Sequence, residues 1–431
     1  MSPKDDSKHD VYSFFADDPE TADKEFFGRV ANSDRRGFLK RTGLATMAAM
    51  VGTSIPFHRN IPIGFVPAAV AADNVLVGKD GLTLLNDRPV NAETPPELLD
   101  EAITPTSRHF VRNNGIPPTE VDPATWELTI DGFVDNPMTL TIADLRSQFE
   151  VVTMALTLEC GGNGRGFFNP PAKGNQWTYG AVACSEWTGV RLKDVLEKAG
   201  VQSNVVYTAH TGADTHLSGK EGKLSLSRGV PIEKAMTDNI LIAFEMNGAP
   251  LHPMNGAPLR LVVPGWPAST AQKWLKRIQL RDVVHDGPKM TGTAYRVPNR
   301  KVSAGEEVAT EDFVIIERMP VKSLVTFPAN NASIGLESEV RGHAWAGDRT
   351  VTKLEVSLDF GATWQTAELD APVNSGAWQN WRTTAKFAKV GYYEIWARAT
   401  DSDGVMQPFA IDWNPKGYLN NTMHRVGVRA S

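Results

Sequence analysis

The stretch Val151-Val-Thr-Met-Ala-Leu-Thr-Leu158 is apolar and partly β-branched, and it runs through Glu159 and Cys160 into four glycines between Gly161 and Gly166. Such a run reads as a buried strand. Glycines beyond it remove side-chain bulk and permit positive φ, so a large group can approach the main chain. The chain must therefore build a strand that ends at a cleared space with a thiol at its edge. Cys160 is one of only two cysteines in 431 residues. A thiol so placed suits a soft metal as thiolate, and Arg165 can lower its pKa or hold an anion. A structural cysteine beside a glycine-rich turn fits the same segment as well.

The N-terminus carries Ser33-Asp-Arg-Arg-Gly-Phe-Leu-Lys40, a twin-arginine pattern. A mostly apolar stretch without acidic residues follows over 43–57, then Val66-Pro-Ala-Ala-Val-Ala-Ala72, whose small residues suit a signal peptidase. Residues 1–72 are expected to be a twin-arginine export signal, which places the mature protein in the periplasm. The apolar run is shorter than the roughly 20 residues of a membrane span, and His58 and Arg59 interrupt it. This route carries folded proteins, and a cofactor inserted before export is a common reason to fold first.

Without the leader, about 360 residues remain, enough for two domains. A formal net charge of -6 argues against nucleic acid as partner. No later segment is long and apolar enough for a membrane span in the mature form. Cys160 and Cys184 would allow one disulfide, which their spacing neither supports nor excludes. With no C-x-x-C-H, no haem is expected in this chain.

Residues 73–105 are rich in Pro, Asn and Asp and read as an extended arm. Over 106–318 strands and helices mix: a strand at 126–132, a short capped helix at 141–148, and a helix at 191–200 closed by its glycine. The short buried strand at 259–264 contains Arg260, a charge that needs a partner or ligand. Over 319–431 strand-like runs recur at 340–346, 353–358, 361–365 and 392–399. This rhythm suggests an immunoglobulin-like β-sandwich.

Several runs together resemble the sulfite oxidase family of molybdenum enzymes: His109-Phe-Val-Arg-Asn113, Leu158-Glu-Cys-Gly-Gly-Asn163, Trp187-Thr-Gly-Val-Arg-Leu192, Ala243-Phe-Glu-Met-Asn-Gly248, Lys273-Trp-Leu275 and His424-Arg-Val426. They occur in the family's order. The resemblance implies an α+β fold, with a mixed α/β molybdopterin-binding domain followed by an Ig-like β-sandwich dimerisation domain. It implies a molybdenum–molybdopterin cofactor, with Cys160 as its metal ligand. His109, Phe110, Arg112, Asn113, Asp214, Asn255, Arg260 and Lys273 match cofactor-binding positions. Arg112, Arg165, Trp177, Tyr295 and Lys416 match the anion pocket beside the metal.

Two positions depart from the family pattern. Lys416 stands where sulfite oxidases commonly have an arginine, and Asn255 where they have a histidine. Lysine keeps charge but loses the bidentate fork. Within the family the chain looks most like the sulfane dehydrogenases. The implied activity is oxidation of sulfane sulfur bound to a carrier protein, with electrons passing to a c-type cytochrome subunit. The implied assembly is a homodimer within a heterotetramer. Sulfite dehydrogenase is the nearer alternative. A periplasmic scaffold protein that kept the fold is the alternative of another class.

Overall fold

The computed structural model describes residues 75–431. The leader expected over 1–72 lies outside the described residues.

One five-stranded sheet carries the thiol. Its main path runs Ala249–Pro250, Leu241–Met246, Val182–Arg191, Val151–Glu159, and Arg260–Val262 pairs with Leu241–Met246. The strand Val151–Glu159 alternates between exposed and half-buried positions at first, then is buried over its last five residues. Alternation marks a sheet with one wet face, and a continuous apolar run marks one covered on both faces. The second sheet runs Met138–Thr141, Glu127–Gly132, Leu275–Arg281, Tyr207–Gly212, Ser227–Arg228. The two sheets share one apolar core that includes Leu156, Leu158, Cys160, Trp177, Trp187 and Ile278.

The expected helices form at Ile142–Gln148 and Leu192–Ala199. Thr141 and Asp144 make a reciprocal capping box on the first. Gly200, at φ 74°, closes the second as a left-handed cap. These helices are short, and sheet dominates the described residues. The expected α+β mixture is corrected accordingly: the long β-branched runs take the core, and helices remain as connectors.

Within the segment read as an arm, Thr83–Asp87 and Val90–Glu93 form a hairpin, and Val90–Glu93 pairs with Val111–Arg112. The second domain has two sheets. One runs Lys322–Phe327, Glu337–Trp345, Gln379–Lys386, Glu368–Leu369; the other runs Ala332–Ile334, His424–Ala430, Gly391–Asp401, Val351–Ser357, Gln365–Thr366. Val325, Leu354, Trp381, Ile395 and Val426 fill the core they share. The strand expected at 361–365 is instead a turn that leads into Gln365–Thr366. Asp359 caps it by accepting from the Thr363 N–H at 2.8 Å and hydroxyl at 2.6 Å, a local bond that competes with strand pairing.

Candidate active site

Cys160 follows directly on the strand Val151–Glu159. Its N–H donates to the Ala181 carbonyl at 2.9 Å, and its own carbonyl accepts from the Asn163 N–H at 2.8 Å. The chain then wraps round the Arg165 guanidinium. A Cβ on Gly162 would lie 2.5 Å from Arg165 Nη2, so a side chain here would displace the guanidinium from its carbonyl partners. Gly164 turns the chain at φ 85°. Arg165 is buried; its Nε donates to the Lys416 carbonyl at 2.9 Å and its Nη1 to the Asn175 carbonyl at 3.1 Å.

The thiol lines two small cavities, of about 50 and 150 Å³, which share Arg112, Asn114, Cys160 and Tyr295 as walls. The inner one adds Asp214, Asn255, Arg260, Gln272 and Lys273. The outer one adds Arg165, Lys173, Asn175, Lys289 and Tyr418. Arg112 ties the two together. It donates to Asn114 Oδ1 at 2.8 Å, lies 3.5 Å from the Tyr295 hydroxyl and lines both cavities beside the Cys160 side chain. Burial opposes its charge, but Tyr295, the Cys160 thiol and Tyr418 hold its pKa above the ordinary value. Tyr295 sits at φ 53°, a rare conformation for a large residue. Its hydroxyl donates to Asn114 Oδ1 at 3.0 Å, its N–H donates to the Tyr418 hydroxyl at 3.2 Å, and its ring stacks on Tyr418 at 5.7 Å. These contacts hold the strained residue in place.

The inner cavity is short of negative charge. Arg112, Arg260 and Lys273 face one carboxylate, Asp214. Burial pulls the Arg260 pKa down to about 9. Burial and the Arg260 charge hold Lys273 well below the usual ammonium range. Burial raises Asp214 against its bond from Ser225, favouring its neutral form. The Gln272 Oε1 and Ser269 Oγ atoms are buried without a partner. Unpaired buried cations and orphaned polar atoms are costly. They fit an anionic, hydrogen-bonding ligand, and a soft thiolate at the cavity's end fits a metal carried by that ligand.

Not every expected residue reaches the cavities. His109 is buried behind Phe110, stacked on its ring at 5.1 Å, with Nδ1 3.1 Å from the Ser185 hydroxyl. Asn113 braces the wall by accepting from Lys273 Nζ. Trp177 lies wholly in the core, its carbonyl accepting from the Gly166 N–H at 2.9 Å. Lys416 contributes its carbonyl to Arg165, and its side chain lines neither cavity. Cys184 is free and buried, and burial pushes its thiol up to about 11. Cys160 is also free, so the two make no disulfide.

Sequence reasoning missed Asn114, Gln272, Tyr418 and Lys79. Asn114 and Gln272 adjoin recognised residues and were within reach of that signal. Tyr418 and Lys79 arrive from distant segments, and no local pattern marks them.

The model of the oxidoreductase molybdopterin binding domain matches residues 114–289, and that of the Mo-co oxidoreductase dimerisation domain matches residues 313–431. The chain is 33% identical over 381 residues to sulfite oxidase of Gallus gallus, covering 83% of this chain and 81% of that one. It is 33% identical over 368 residues to mitochondrial sulfite oxidase of Rattus norvegicus, covering 81% of this chain and 65% of the relative's length. Among solved structures, the sulfane dehydrogenase SoxCD of Paracoccus pantotrophus is similar at 27% identity and a TM-score of 0.66, covering 87% of this chain and 96% of that one. The fold and the thiol-centred site thus define a molybdopterin-binding domain followed by a dimerisation domain. The chain belongs to the sulfite oxidase family of molybdopterin oxidoreductases.

Proposed function

We propose that this chain is the molybdenum subunit of an exported dehydrogenase that oxidises sulfane sulfur held on a carrier protein. The observation that carries this reading is the thiol at the junction of an inner and an outer cationic cavity. The match to the solved sulfane dehydrogenase supports it, as does the twin-arginine leader.

In this reading Cys160 holds the metal as thiolate. Lys273 and Arg260 hold the pterin's anionic end, and Asp214, Gln272 and Asn255 its hydrogen-bonding groups. When bound, the molybdenum–pterin group supplies two-electron oxygen-atom transfer. The protein supplies orientation and charge. Arg112 and Arg165 present guanidinium charge to an anionic substrate, with the Nε and Nη1 of Arg165 fixed by the Lys416 and Asn175 carbonyls. The Tyr295 hydroxyl, now donating to Asn114, is placed to turn its proton toward a substrate oxygen.

Sulfite is the second reading. The relatives at 33% identity are sulfite oxidases, and the outer cavity sets four cations against no carboxylate, which suits a free dianion. Supplying sulfite and a thiol-persulfide carrier protein separately, and following cytochrome c reduction, decides between them. Reduction by sulfite alone overturns the carrier reading. Reduction by neither overturns both.

The electrons leave one at a time, and this reading assigns them to a separate c-type cytochrome in the periplasm. The strand order of the second domain, with Val351–Ser357 beside Gly391–Asp401 and His424–Ala430 in one sheet, supports an immunoglobulin-like topology. That domain pairs two copies of the chain, giving two molybdenum chains with two cytochrome chains.

A further inference from the structure

Lys79 lies on the first described segment, far in sequence from every other residue of the site. Its Nζ donates to the Thr106 carbonyl at 2.6 Å, to the His109 carbonyl at 3.1 Å and to Asn255 Oδ1. Asn255 lines the inner cavity, and its Nδ2 donates to the Phe110 carbonyl at 3.3 Å. Lys79 thus fixes which way the Asn255 amide points. All three of its acceptors are neutral.

The segment is seated on the same loops at other points. The Asp80 N–H donates to the Ser107 carbonyl at 3.0 Å. A Cβ on Gly78 would fall 2.5 Å from His252 Nε2. Leu76 packs with Ala92, Val111 and Met254. Residues 76–80 therefore form a strap across the loops 106–109 and 252–255, which carry part of the cavity wall.

The charges around Lys79 are of one sign. Arg260 acts on Lys79 and Lys79 acts on Lys273, while burial and the Lys79 charge hold the neighbouring His109 and His252 imidazoles in their neutral form. A buried ammonium with neutral acceptors and cationic neighbours is unfavourable unless an anion is present. Burial and the Arg260 charge pull it down to about 7. A polyanion in the inner cavity would reverse that penalty through Coulombic attraction at short range and low dielectric.

From this geometry we infer that Lys79 is a positioning residue for the anionic cofactor, and that the strap seats firmly only when the inner cavity holds an anion. Lys79 acts through Asn255 and adds a positive charge behind the cavity wall. The inference rests on the reading of the inner cavity as the cofactor site. It goes beyond that reading by tying cofactor retention to the N-terminal segment.

The test uses the full chain in two forms. Cofactor-free protein is titrated calorimetrically with pyrophosphate, a stand-in for the anionic end. Lys79→Gln keeps a donor for the same acceptors without the charge, and it should weaken pyrophosphate binding on the order of tenfold. Lys79→Arg should restore it. Hydrogen exchange over 76–80 should slow when pyrophosphate is added to wild type, and much less in Lys79→Gln. In the loaded form, pterin retained after gel filtration should fall in Lys79→Gln and return in Lys79→Arg. Equal pyrophosphate affinity in wild type and Lys79→Gln, with equal pterin retention, overturns the inference and leaves the cofactor reading intact. If wild type never carries pterin, while pyrophosphate binding still depends on Lys79, the cofactor reading fails and the anion link stands.

Discussion

Trp345, on the second domain, donates its indole N–H to Glu159 Oε2 at 2.8 Å, and Glu159 is the residue immediately before the thiol. The other carboxylate oxygen accepts from Asn163 Nδ2 at 3.0 Å and from Lys322 Nζ. Glu159 and Lys322 are both buried, so the second domain reaches into the strand end that presents Cys160. A buried charge held this way is paired and fully hydrogen-bonded.

Breaking that pair from one side should therefore be costly. Lys322→Met leaves a buried carboxylate without its cation and should lose about 3–5 kcal/mol of stability. Adding Glu159→Gln should recover part of the loss, since an amide oxygen still accepts from Trp345. Denaturant midpoints of the three proteins check this. A double variant no more stable than Lys322→Met alone would contradict it.

Cys160→Ser should remove turnover while the fold persists, because a serine oxygen replaces thiolate poorly in the metal's redox states. Circular dichroism, molybdenum content and cytochrome c reduction are the measurements. A serine variant that keeps more than a small share of wild-type activity would show that Cys160 is not the ligand.

Arg165→Lys keeps the charge but loses the donors to the Lys416 and Asn175 carbonyls and the planar fork. KM for the sulfur substrate that supports turnover should rise roughly tenfold to a hundredfold, the size of one or two charge-assisted hydrogen bonds. Tyr295→Phe should act mainly on kcat, by about 10²-fold or more if the hydroxyl relays a proton. Steady-state kinetics on both variants separate binding from chemistry, and an unchanged KM in Arg165→Lys removes Arg165 from substrate binding.

Acid should loosen the second domain. Burial pulls His343 down to about 4 and His424 to about 3. Each is held in hydrogen bonds, His343 Nε2 to the Leu99 carbonyl at 2.7 Å and His424 Nδ1 from the Val325 N–H at 2.9 Å. The folded pKa lies below the unfolded value of about 6.5, so between them the unfolded chain binds more protons. Stability is present in full above about pH 6.5 and falls as pH drops toward 4. Melting temperature against pH should show this slope, and His343→Gln should flatten it. An equal slope in both proteins would remove His343 as a cause.

Local patterns carried much of this protein. The β-branched run 151–158, the capping box at Thr141 and the glycine after Ala199 each specify an element through contacts a few residues apart. The thiol beside the glycine run and the lone arginine in an apolar strand marked two of the site residues, because a buried charge or a cleared backbone is visible in sequence. Tertiary structure alone decided the rest. Lys79 and Tyr418 reach the site from far ends of the chain, and Glu159 is held by Lys322 and Trp345 from the other domain. Trp177 and Lys416 show the converse: their places in the sequence pattern predicted cavity residues, but packing put one in the core and turned the other's carbonyl inward. Hydrogen bonds and Coulombic pairs between distant segments leave no period in a sequence, so only the folded arrangement of the sheets could assign them.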